Sequence, residues 1–120
     1  MLDITGETFE AYVLKSTNLT LVDFWAPWCP WCRVLLPVLN KIEKEYSDKL
    51  VFSTLNIAEY PDLAQKYGVL SLPTMLFFYS GRVVGEVVGY LSEEKLKNEF
   101  SKILSRYKES LAQSSSINSI

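Results

Sequence analysis

Six residues, Trp28-Cys29-Pro30-Trp31-Cys32-Arg33, join two segments of different periodicity, and this junction constrains the chain more than any other feature. Before it, Leu19 to Trp25 (LTLVDFW) is a nearly unbroken apolar run, as in a strand buried on both faces. After it, Val34, Leu35, Val38, Leu39 and Ile42 recur at helical spacing and stop near Ser47. The only two cysteines of the chain therefore fall where a strand becomes a helix. Two intervening residues suit either half of a metal site or a redox-active disulfide, and these flanks favour redox chemistry. Two cysteines cannot close a four-ligand site within one chain, and the absence of histidine excludes both a mixed zinc site and a histidine general base. A cysteine-only site shared between two chains is the remaining metal alternative.

The junction also ranks the two cysteines. Cys29 falls at or near the helix N-cap, with Pro30 at the first helical position, where its missing N–H has no intrahelical partner to lose. A thiolate at Cys29 would face unpaired backbone N–H groups and the positive end of the helix dipole, an environment that lowers a thiol pKa. Cys29 is thus the expected nucleophile. Cys32, one turn in, is close enough to resolve a mixed disulfide. Asp23 interrupts the apolar run, with Leu21, Val22, Phe24 and Trp25 around it on both alternating faces, so a buried carboxyl with a raised pKa is expected. It lies near enough to Cys32 to take that thiol's proton. Trp25 and Trp28 read as packing residues, Trp28 walling off the disulfide, whereas Trp31, at an exposed helix start, reads either as a contact surface for substrate or as idle exposure.

Length and composition, 120 residues with 48% hydrophobic and 22% charged, suit one domain, expected over residues 1–112 with a flexible tail over 113–120. A net charge of −2 argues against nucleic acid or an anionic membrane as partner. The N-terminal residues have no basic region followed by a long apolar one, which leads us to expect a cytoplasmic protein, and nothing in the sequence demands more than a monomer. Leu2 to Ile4 can add a short strand, Thr5 or Thr8 can cap a helix, and Phe9, Tyr12, Val13 and Leu14 mark one face of that helix. Pro37 should kink the helix that follows the cysteines. Leu50 to Asn56 reads as a second buried strand, and Glu59 to Tyr67 as a short helix with Leu63 and Ala64 inward, ended by Gly68. Pro73 introduces a strand running to Tyr79, Ser80-Gly81 turns it into a hairpin, and Arg82 to Val88 pairs back with a bulge permitted at Gly85. Ser92 caps a last helix whose inner stripe is Leu96, Phe100, Ile103, Leu104, Tyr107 and Leu111. This alternation implies an α/β fold with a central mixed sheet of about five strands and helices on both faces.

Asp23-Phe24-Trp25-Ala26, Trp28-Cys29, Cys32-Arg33, Pro37, Asn56, Tyr67-Gly68-Val69, Pro73-Thr74, Gly81 and Gly89 together resemble the thioredoxin family, from about Ile4 to about Tyr107. The resemblance implies the thioredoxin fold, thiol–disulfide exchange with protein disulfides as substrates, no cofactor beyond the Cys29–Cys32 disulfide, and electrons from a thioredoxin reductase or another thiol donor. It further implies a cis Leu72–Pro73 bond beside the cysteines, with the backbone of Leu72 pairing to extended substrate and Gly89 lining the same groove as Trp28, Pro30 and Trp31. Two positions depart from the family pattern. Typical thioredoxins carry Gly-Pro between the cysteines, whereas proline comes first here, as in glutaredoxins. With Trp31 in place of that proline a backbone N–H near the active sulfur is restored, so a lower Cys29 pKa and a more oxidising couple are expected. Thr54 stands where many thioredoxins place a lysine beside the buried aspartate. The alternatives to a reductase are glutaredoxin-like or disulfide oxidase/isomerase activity, or a non-catalytic binding module on the same fold.

Overall fold

A computed structural model describes the backbone of residues 1–118 and the side chains of residues 1–106. Five strands form one sheet in the order β1-β3-β2-β4-β5: β1 (Leu2–Ile4), β2 (Thr20–Trp25), β3 (Val51–Asn56), β4 (Thr74–Tyr79) and β5 (Arg82–Val88). The first three run parallel, and β4 pairs antiparallel with both β2 and β5. The helices are α1 (Pro30–Tyr46), α2 (Pro61–Lys66) and α3 (Glu93–Asn118).

The near-continuous apolar runs identify β2 and β4 as the strands covered on both faces, and alternate residues of each feed two separate cores. On one face Leu19, Leu21, Phe52, Met75 and Phe77 pack under Leu35, Leu39 and Ile42 of α1 and under Leu96, Phe100, Ile103 and Leu104 of α3. On the other face Val22, Phe24, Leu55, Leu76 and Phe78 meet Ile4, Phe9 and Val13, with Leu63 of α2 and Tyr67 at the margin. Phe100 makes edge-on contacts with Tyr46, Phe52 and Phe77, tying both helices to the sheet. Tyr107 and Leu111 of the expected stripe, and the expected tail over 113–120, fall outside the residues whose side chains are described.

The segment after β1 departs from expectation in its pitch. Glu10–Leu14 is a π-helical turn, closed by the Lys15 amide on the Glu10 carbonyl at 2.8 Å, and the Thr5 and Thr8 side chains bond each other's backbone amides at its start. In this wider turn each residue rotates through a smaller angle than in an α-helix. Val13, four residues after Phe9, still faces inward, but Tyr12, three after it, falls short of the buried face and is 53% exposed. Val34 also faces solvent, on the flank of the α1 stripe.

At the hairpin, Ser80 (φ 52°) and Gly81 (φ 76°) both take left-handed conformations, the twist that a two-residue connection between antiparallel strands requires. The register then shifts, Phe77 facing Gly85 and Phe78 facing Val83, so one extra residue of β5 is accommodated beside the expected glycine. A Cβ on Gly85 would come within 2.7 Å of Ile103, so this glycine also lets α3 close on the sheet. These elements leave the C-terminal end of β2 and the N-terminus of α1 facing the segment that leads into β4.

Candidate functional site

The turn between β2 and α1 is built from the inside out. Cys29 has extended backbone angles (φ −97°, ψ 104°) and acts as N-cap, its Sγ accepting from the Cys32 amide at 3.1 Å, while Pro30 takes the first helical position. Sulfur thus does what a serine or aspartate oxygen usually does at a helix start, satisfying one of the unpaired amides. The Cys29 amide returns to the Ala26 carbonyl at 3.1 Å, and Arg33 reaches back from the helix to the Pro27 carbonyl. The two cysteines are joined in a disulfide with their Cα atoms 5.3 Å apart. α1 continues unbroken through Pro37 to Tyr46.

The sulfurs open onto different spaces. Cys29 lines a groove of about 420 Å³ with Trp28, Trp31, Ile57, Leu70 and Leu72. Trp28 is 65% exposed and forms a wall of this groove, which corrects its reading as a packing residue over the disulfide; it lies in the turn before α1 and joins neither core. Trp31 is exposed as expected, and its ring stacks on Tyr90 with centroids 5.3 Å apart. A smaller recess lies between Trp31, Leu72, Gly89 and Tyr90. The Leu72–Pro73 bond is cis, as the resemblance implied, and the Pro73 carbonyl accepts from the Gly89 amide at 2.7 Å. Gly89 adopts φ +86°, which other residues reach only with strain, so glycine is the residue that fits the backbone here. Trp28, Cys29, Pro30, Trp31, Leu72 and Gly89, scattered along the sequence, are thus gathered at one end of the sheet, with Pro73 buried behind them.

Cys32 faces inward, onto a cavity of about 280 Å³ that also touches Asp3, Asp23, Trp25, Arg33 and Thr54. Asp23 is 1% exposed, its Oδ1 has no hydrogen-bond partner, and burial pushes its carboxyl up to about 7. Asp23 shares a cavity with the sulfur, as its place at the end of β2 suggested. Tyr90, Leu70 and Asp3 escaped the sequence reading. Tyr90 could have been suspected as an aromatic adjoining Gly89; the other two carry no periodic signal. Among the described residues, no three or more His, Cys, Asp or Glu side chains are grouped to hold a metal ion, and no helix is long and apolar enough to cross a membrane.

Comparison with known proteins agrees with this geometry. The family model described as Thioredoxin matches residues 1–102. The chain is 43% identical over 97 residues to a thioredoxin of Buchnera aphidicola from Acyrthosiphon pisum, covering 81% of this chain and 90% of that protein. It is 42% identical over 101 residues to thioredoxin 1 of Synechococcus elongatus, covering 84% and 94%. A chloroplastic M-type thioredoxin of Spinacia oleracea is 37% identical over 103 residues, which is 86% of this chain and 57% of the relative.

Proposed function

The chain belongs to the thioredoxin family, and from that membership we propose how its residues divide the work of a thiol–disulfide oxidoreductase. The activity is reduction of protein disulfides by dithiol exchange; its partners are proteins that carry such bonds and a reductase that restores the dithiol. In the reduced protein, Cys29 attacks as the thiolate. One substrate sulfur leaves with the electron pair of the broken S–S bond and takes up a proton, while the other stays bound to Cys29 as a mixed disulfide. Cys32 then gives its proton to Asp23 and attacks the Cys29 sulfur. The second substrate sulfur leaves as a thiolate and is protonated in turn, so two electrons have passed from the cysteine pair to the substrate, and of the two protons the substrate takes up one is matched by the Cys32 proton held on Asp23 and the other is drawn from solvent. The observation that carries this division is the N-cap position of Cys29, open to the groove, with Cys32 one turn behind it on the Asp23 side.

Substrate lies in the groove as an extended segment, against Trp28, Pro30 and Trp31 on one side and against the Leu72 backbone, Pro73 and Gly89 on the other. The protein acts as a monomer, with residues 1–112 as the catalytic domain. It works in the reducing cytoplasm, where such a pair is kept as the dithiol. The Pro30-Trp31 pair favours a couple more oxidising than thioredoxin's, which would suit glutaredoxin-like or disulfide-forming work.

Single cysteine variants test the division. Cys32→Ser should trap substrate as a mixed disulfide on Cys29, visible as a mass adduct, with turnover lost. Cys29→Ser should neither turn over nor trap. Trapping by the Cys29→Ser variant would reverse the two roles.

A further inference from the structure

A hydrogen bond in the cavity beneath Cys32 has no part in the steps above. Asp3, Thr54 and Asp23 lie on one line across the sheet, Asp3 paired with Thr54 between β1 and β3, and Thr54 with Asp23 between β3 and β2. Such neighbours point to the same face and sit roughly 4.8 Å apart. All three line the cavity that holds Cys32. Thr54 Oγ1 donates to Asp3 Oδ1 at 2.8 Å. A threonine hydroxyl has a single hydrogen, so once this is committed to Asp3 only lone pairs remain. Toward Asp23, directly or through a water held among the few polar groups of this largely apolar cavity, Thr54 accepts and does not donate.

The other groups facing Asp23 do not offset this bias. From α1, Arg33 reaches the cavity but donates to the Pro27 carbonyl, and Asn40 is neutral. Met1 also lines the cavity, and its amino group pairs with Glu43 at 3.4 Å. β4 places Met75 opposite Asp23. Burial raises the Asp23 carboxyl to about 7.

We propose that Asp3 and Thr54 are positioning residues for Asp23: the charge of Asp3, and the one-way hydroxyl it holds, keep the buried carboxyl in its protonated form and so set the pH at which it can take the Cys32 proton. This rests on Asp23 being that acceptor. A lysine in place of Thr54 would act in the opposite sense, favouring the carboxylate.

Two variants at Asp3 grade the effect, and because Asp3 is exposed both should fold, which thermal unfolding will check. Asp3→Asn keeps an acceptor for Thr54 and removes the charge; Asp3→Lys removes both and adds a cation. The titration of the Asp23 carboxyl, followed by carbon-13 NMR in the disulfide form, should move down by about half a pH unit in Asp3→Asn and further in Asp3→Lys. In stopped-flow resolution of a mixed disulfide, the acid limb should shift equally, a gain of about threefold at pH 6 for half a unit. An unchanged Asp23 midpoint in both variants overturns the proposal. A shifted midpoint with an unmoved resolution profile leaves the coupling standing and instead removes Asp23 as the proton acceptor.

Discussion

Asp23 makes folding depend on pH. In the native protein burial holds its carboxyl near 7 against an ordinary 3.8, so between these values the unfolded chain has released a proton that the native state retains. Stability from this group is fully present below about pH 4 and is lost as pH rises through 7, a swing on the order of 4 kcal/mol. Asp23→Asn should therefore unfold at higher urea than the parent at pH 8, while at pH 4 the two should nearly coincide. Equal displacement at both pH values would place the cost in packing and not in charge. The residue was legible because one acid amid Leu21, Val22, Phe24 and Trp25 has no solvent face to occupy. Asp3 was not: a lone acid on a three-residue strand looks like ordinary surface until pairing brings it beside Thr54.

Among the elements, the start of α1 decides the chemistry. Its first turn presents the Cys32 amide to the Cys29 sulfur at 3.1 Å, and a further donor near that sulfur would favour the thiolate and with it the reduced protein. We expect a reduction potential above thioredoxin's value of about −270 mV. Trp31→Pro, tolerable in a first helical turn, removes one amide and should lower the potential by tens of millivolts, where about 30 mV corresponds to 1.4 kcal/mol. Equilibration with glutathione buffers, followed by tryptophan fluorescence, gives both values; identical potentials would discount the Trp31 amide. The strand-to-helix change was readable from periodicity alone. The π turn at Glu10–Leu14 was not, because a five-residue segment bearing Phe9, Tyr12 and Val13 fits an α-helical stripe as well, and only the pitch reveals that Tyr12 turns outward.

At the scale of the whole molecule, stability converges on the layer shared by α1, α3 and the sheet. Phe100, fully buried against Tyr46, Phe52 and Phe77, spans that layer, and Phe100→Ala should cost about 3–5 kcal/mol in chemical unfolding. A loss below 1 kcal/mol would mean that the layer can collapse to fill the gap. The strands and their mixed direction followed from buried runs and a hairpin turn, but the order β1-β3-β2-β4-β5 rests on pairings between residues as distant as Leu2 and Ser53, which no local pattern encodes. That order also fixes what lies at the rims. On one side is a strand of three residues, and on the other β5 is interrupted by a register shift and bears Arg82 and Glu86, both exposed. Proteins whose disulfides await reduction often have strands not yet paired, and a long, flat rim would invite them to add to the sheet. With one rim short and the other irregular and charged, the sheet is a poor template for such chains to extend.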